Sequence, residues 1–178
     1  VIPLLPAFLQ GEEVISGASR GTAYHRVLEL LDFSKEYDDT TLKEAIKQMT
    51  EANKLTAEMA SCVDTKDIML FLKSSIGKRL QSASKNSLFH AEQPFVLAED
   101  REDGDALLIQ GIIDGYFEED GELVVLDYKT DKVRRAAELV ERYQVQLQYY
   151  AKALEQVTGK RVKKRVIYSF TLQKEIEV

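Results

Sequence analysis

The chain has 178 residues, 44% hydrophobic and 30% charged, which is enough for one good core, so a single domain over residues 1–178 is expected. No run of about 18 uncharged apolar residues occurs, and the one cysteine, Cys62, excludes an internal disulfide and a four-thiolate zinc or iron–sulfur site in this chain. A net charge of −6 argues against a generic nucleic-acid binder, yet between Lys129 and Arg165 there are 11 Lys or Arg against 4 Asp or Glu.

The opening VIPLLPAFLQGEE has no clear period, no basic leader and no initiator Met. We expect an extended strap up to about Gly17, in a fragment of a longer polypeptide, with a reduced cytoplasmic setting as the default. A helix follows from about Ser19, where Tyr24, Val27, Leu28 and Leu31 recur at helical spacing and make one apolar stripe. At about 100° per residue, His25 falls at the edge of that stripe, where a ligand would sit. A second helix is predicted over TLKEAIKQMTEANK, and further helix from DTKDIMLFLK through KRLQSAS, opened by Asp64 or Thr65 as cap. Gly77-Lys78-Arg79 is the nearest look-alike of a phosphate-cradling ATP motif, but lacks its upstream glycine and its hydroxyl residue, so any ATP site lies elsewhere.

Strands dominate from about Leu88 to Thr130. FHAEQPFVLA and the turn-rich EDREDGD lead into two apolar runs, ALLIQGIIDGYF and LVVLDYKT, joined by a turn at Asp120-Gly121. With those two residues at its centre, Glu119 pairs with Glu122, and counting back places Asp114 opposite Asp127 on one face. Their Cβ atoms would lie roughly 5 Å apart. Two carboxylates that close repel with little screening among apolar neighbours, so protons or a cation must compensate; we read a divalent metal. Lys129 projects from the same face, because side chains alternate along a strand. LVVL is apolar on both faces and should be a central strand covered on both sides. A long helix from about Ala136 to Val157 follows, striped by Leu139, Tyr143, Leu147, Tyr150 and Leu154 and ended by Gly159, and RVIYSFTL closes the sheet. The expected class is α/β: a helical section, then a central mixed sheet of about four strands flanked by helices.

Asp114, a spacer, then Asp127-Tyr128-Lys129 fits the pattern D, then D or E, any residue, K. GTAYH holds Gly21 and His25 as G-x-x-x-H; EQPF holds Glu92, Pro94 and Phe95; YQVQLQYYAKAL holds Gln146 and Tyr150 as Q-x-x-x-Y. In this order, with GIIDG and LDYKTD, they resemble the RecB-family nuclease domain of the PD-(D/E)xK superfamily, with its restriction-endonuclease-like core. The resemblance runs from about Arg20 to Phe170. In RGTAYHRVLELLDF and the scarcity of cysteine it is strongest to the C-terminal nuclease domain of AddA-type (RexA) helicase–nuclease subunits.

The resemblance implies that His25, Asp114 and Asp127 are metal ligands, joined by the backbone carbonyl of Tyr128. Lys129 would position or help deprotonate the attacking water and stabilise charge on the phosphate. Mg²⁺ is the implied ion, with Mn²⁺ accepted because of the imidazole. Gln146, Tyr150, Thr130, Glu92, Lys132, Arg134 and Arg135 would order the site or contact DNA, with packing, a strand end or surface solvation as the plainer readings. The implied activity is hydrolysis of DNA single strands, exonucleolytic or end-processing, in double-strand-break repair and recombination. The implied partners are DNA, helicase domains of the same parent chain and an AddB-like subunit, with no iron–sulfur cluster and no membrane. The competing reading is a catalytically inactive DNA-binding or scaffolding module of the same fold.

Overall fold

The computed structural model describes residues 20–178, so the strap expected before Gly17 lies outside the described residues. Five helices come first: α1 (Arg20–Leu30), α2 (Asp39–Glu51), α3 (Ala57–Cys62), α4 (Thr65–Lys73) and α5 (Ser75–Lys85). Strands β1 (Phe89–Asp100), β2 (Ala106–Glu119) and β3 (Glu122–Lys129) follow, then α6 (Ala136–Thr158), β4 (Val162–Ser169) and β5 (Lys174–Glu177).

Local chemistry sets the helix boundaries. Asp38 opens α2 with a reciprocal capping box: its carboxylate accepts from Thr41 N–H at 2.7 Å, and its own N–H donates to Thr41 Oγ1 at 2.8 Å. Asp64 caps α4 by accepting from Lys66 N–H at 2.9 Å, as the sequence suggested. The further helix expected from Asp64 through Ser84 is in fact two, because Ser74 is extended and its Oγ accepts from Gly77 N–H at 3.1 Å to start α5. A serine that caps looks neutral in a periodicity count. The two helices then approach so closely that a Cβ on Gly77 would stand 2.0 Å from the Phe71 carbonyl oxygen.

The sheet has five strands in the order β1-β2-β3-β4-β5, not about four. β5, the unexpected one, is four residues long and only Ile176 is buried, so it leaves almost no apolar signal; its charges suit an edge. β2 pairs antiparallel with β1 on one side and β3 on the other, α6 carries the chain over to a parallel β4, and β5 returns antiparallel.

β3 is central and buried on both faces, as its continuous apolar run predicts. Val124, Leu126 and Tyr128 enter a core shared with α1, α2, α4 and α5, whereas Leu123 and Val125 enter a second core against Leu139, Leu147 and Leu154 of α6. Each such Leu or Val stabilises the fold by roughly 1.5–3 kcal/mol, so β3 holds any polar group on it firmly in place.

The hairpin between β2 and β3 has the expected register. Asp120 and Gly121 both take positive φ, 54° and 79°, the geometry of a two-residue turn whose twist matches the strands. Glu119 faces Glu122, and the ladder runs to Gly115 opposite Leu126. Asp114 and Asp127 are the next residues along it.

Three side chains of the KRVKKR cluster brace this hairpin and a fourth ties β4 to β5. Lys160 pairs with Glu118 at 2.6 Å, Arg161 with Glu122 at 3.2 Å, Lys163 with Glu119 at 2.9 Å and Lys164 with Glu177 at 2.8 Å. Arg79 of α5 adds a two-pronged bond to Glu119, at 2.9 and 2.8 Å. The Arg79 bond, with Lys163 behind it, holds the Glu119 carboxyl down at about 2. Because the folded value lies below the ordinary 4.5, this stabilisation is present above pH 4.5 and disappears as pH falls towards 2. The unfolding free energy from denaturant titrations should therefore drop over that range by about 1–2 kcal/mol, and Glu119→Gln should flatten that part of the curve. An unchanged pH dependence in the variant would refute the assignment.

Candidate active site

Four elements deliver polar side chains to the point where β2 parts from β3. The α1 stripe of Tyr24, Val27 and Leu28 is fully buried and pins that helix to the sheet, which leaves His25 at its margin. His25 Nδ1 lies 3.1 Å from Asp114 Oδ1, and the Tyr128 N–H donates to Asp114 Oδ2 at 2.8 Å. Asp127, 2% exposed, places Oδ2 3.0 Å from Lys129 Nζ. That is a charge contact off the hydrogen-bonding direction, so Asp127 Oδ2 is buried without a hydrogen-bond partner. From α6, Gln146 Oε1 accepts from Lys129 Nζ at 3.4 Å, and Gln146 Nε2 donates to Tyr150 Oη at 2.7 Å.

The two acids hold their protons differently. Burial pushes the Asp127 carboxyl up, and the Asp114 charge and hydrogen bond add to this against the pull of Lys129. Burial also opposes ionisation of Asp114, but the charge and hydrogen bond of His25, then Lys129 and the Tyr128 N–H, outweigh it and hold that carboxyl low. For His25, burial favours the neutral ring, yet Asp114 more than compensates and lifts it to about 9. Lys129 is likewise opposed by burial, but Asp127 and Asp114 keep it an ammonium.

The remaining candidates divide. Glu92 sits on β1 at φ 50°, where the ladder to β2 skips it; burial, followed by the Asp114 charge, pushes its carboxyl up to about 7. A non-glycine in that backbone region next to buried acids is the kind of strain found at functional sites. The Tyr128 ring packs into the core beneath the helices, with its hydroxyl buried and unbonded, so the group tied to the acids is its N–H. The Thr130 carbonyl accepts from Thr171 Oγ1 at 3.2 Å. Lys132, Arg134 and Arg135 are exposed on the loop leading from Lys129 to α6. The sequence places Tyr143 in the α6 stripe just ahead of Q-x-x-x-Y and Asp131 just after Lys129, but assigns neither a role at the site. The ring of Tyr143 lies 4.0 Å from Lys129 Nζ and its hydroxyl donates to Asp131. The available signal was spacing: Tyr143 precedes Gln146 by three residues on one helix.

Among the described residues no three His, Cys, Asp or Glu side chains form a ready-made cage. The donor set nevertheless suits a hard divalent cation: two buried carboxylates, one with an unsatisfied oxygen, and an imidazole.

The model of the PD-(D/E)XK nuclease superfamily matches residues 5–177. The chain belongs to this superfamily. In Lachnoclostridium phytofermentans, the AddA-type subunit of the ATP-dependent helicase/nuclease is 34% identical over 99% of this PD-(D/E)XK chain. Its counterparts from Alkaliphilus oremlandii and Clostridium botulinum (strain Alaska E43 / Type E3) are 37% identical over 99% and 38% over 97%. The PD-(D/E)XK chain is thus homologous to a segment of these helicase/nuclease proteins, and it spans only 16%, 16% and 15% of their respective lengths. The crystal structure of SSO0001 covers 88% of this chain, and 75% of its own, at a TM-score of 0.41 and 14% identity. Among the described residues, no helix is long and apolar enough to cross a membrane.

Proposed function

We propose that this domain hydrolyses phosphodiester bonds in single-stranded DNA, by exonucleolytic or end-processing cleavage that leaves 5′-phosphate and 3′-hydroxyl ends. It does so as the nuclease part of a helicase–nuclease acting in double-strand-break repair and recombination. The observation that carries this is a buried acid pair, Asp114 and Asp127, flanked by Lys129 and His25 on a PD-(D/E)XK scaffold. Helicase domains of a parent chain would feed the strand, and an AddB-like subunit would complete the assembly.

His25, Asp114 and Asp127, with the Tyr128 carbonyl, would hold Mg²⁺ or Mn²⁺. Such an ion, when bound, polarises the phosphoryl oxygen and makes water more acidic. Lys129, kept protonated by Asp127 and Asp114, is a donor and not a base: it orients the attacking water and offsets negative charge gathering on the phosphate. Gln146 limits the swing of that ammonium. The exposed Lys132, Arg134 and Arg135 line a path by which a phosphate backbone would leave the site.

The test is incubation of the chain with labelled single-stranded DNA and Mg²⁺ or Mn²⁺, against a chelator. Metal-dependent cleavage is expected, and DNA binding without cleavage would favour an inactive scaffold. A titration of Mn²⁺ by calorimetry checks the ligands independently. Because His25 holds a proton up to about 9, affinity should rise from pH 6 to pH 9 as that proton is shed more easily. His25→Ala should weaken binding by about tenfold or more and flatten this slope. Equal affinity in the two proteins at every pH would remove His25 from the site.

A further inference from the structure

Lys129 Nζ is approached from three sides, by Asp127 Oδ2 at 3.0 Å, Gln146 Oε1 at 3.4 Å and the centroid of the Tyr143 ring at 4.0 Å. Of its three N–H groups one is given to Gln146 Oε1; Asp127 Oδ2 faces the ammonium as a charge contact, and the negative face of the ring covers another side. The ring is itself anchored. Its hydroxyl donates to Asp131 Oδ2 at 2.6 Å, and Arg142 Nη1 donates to the same oxygen at 2.6 Å. A phenol bonded to a carboxylate carries a more electron-rich ring, which draws a cation more strongly. The loop after β3 supplies Asp131 and α6 supplies Tyr143, so two elements converge on one lysine.

The platform matters because lysine is a poor instrument for precise placement. Its four-carbon stem has many rotamers, and its head prefers water. The Lys129 side chain is only 12% exposed, and the oxygen contact to Gln146 is long. Without a surface behind it, the ammonium is free to turn towards the open side of the site.

We propose that Tyr143 is a positioning residue: its ring face fixes the Lys129 ammonium against Asp127, while Asp131, held in turn by Arg142, fixes the ring. For its effect on turnover the inference rests on the nuclease reading; for the placement of Lys129 it does not. Its experiment therefore has two arms on the 178-residue chain. The first uses lysine-labelled protein and NMR, with the Lys129 ε-methylene signal assigned by its loss in Lys129→Arg. Ring current shifts that signal upfield in the parent. Tyr143→Phe keeps the shift, and Tyr143→Leu returns the signal to the range of the other lysines. The second arm measures DNA cleavage. Tyr143→Leu lowers kcat by about tenfold or more with KM unchanged, and Tyr143→Phe stays within about threefold of the parent. Tyr143→Met takes the place of the leucine variant if that one melts early. The proposal is overturned if Tyr143→Leu leaves the Lys129 signal in place. It is equally overturned if Tyr143→Phe loses as much turnover as Tyr143→Leu, which would assign the effect to the hydroxyl. A parent chain that cuts no DNA overturns the nuclease reading, and the first arm still decides where the ammonium is held.

Discussion

Asp127→Asn should lower metal-dependent DNA cleavage by about a thousandfold, equivalent to about 4 kcal/mol of lost transition-state stabilisation, while the protein stays folded. The asparagine fills the same volume on a strand packed on both faces, and it resembles the protonated carboxyl that burial already favours at this position. Stability should therefore change by no more than about 1 kcal/mol. What the variant can no longer supply is a negative charge on Oδ2 when a cation binds, at the one buried oxygen of the pair without a hydrogen bond. Lys129→Ala should cost as much turnover for the complementary reason, since it deletes the cation facing that oxygen. Melting curves and single-turnover cleavage on the same preparations separate chemistry from folding. An Asp127→Asn protein that still cuts within tenfold of the parent would mean the acid pair is not where the reaction happens.

Gly77→Ala should be the most damaging small substitution in the helical layer, although it touches nothing polar. The added methyl group would stand 2.0 Å from a backbone oxygen of α4, and backbone cannot swing aside as a side chain can. Moving α4 instead displaces Phe71, whose ring meets Tyr128 at 5.6 Å and Tyr168 at 4.8 Å in edge-on packing. Tyr128 stands between the two residues that form the charge contact, so the strain reaches the site. A cost of about 3–5 kcal/mol is expected, which lowers the melting temperature by about 10 °C in a chain of this size. A variant melting with the parent would show that the helices have room to spare. The same contact explains why Gly77-Lys78-Arg79 is no phosphate loop: its glycine serves close packing inside a helix.

Much of this site could be read before any coordinates. Asp114, Asp127 and Lys129 were legible because they break apolar runs and because Asp120-Gly121 fixes their relation. His25 was legible as the polar margin of a regular stripe. Periodicity fails where the contact is between residues of unlike role. Tyr143 obeys the α6 stripe perfectly well, and nothing in a hydrophobic count says that its ring faces an ammonium instead of a leucine. Nor does composition tell a phosphate-binding basic cluster from a structural one. KRVKKR was resolved only when its partners appeared as Glu118, Glu119, Glu122 and Glu177. The division at Ser74, the six-residue α3 and the charged edge strand β5 escaped for a simpler reason, namely that each buries one side chain or none. Where little apolar area leaves water, little is written in the pattern.

The two-residue reversal at Asp120-Gly121 also fixes how this protein can vary. One extra amino acid there would exchange the two buried faces along the whole of β3, sending the Asp127 carboxylate into the helical core and the Tyr128 phenol towards α6. Every member of the constellation would survive in the sequence, and the constellation itself would be gone. The longer loop between Asp100 and Ala106 is the place for lengthening or shortening, far from the parity on which the proposed chemistry depends.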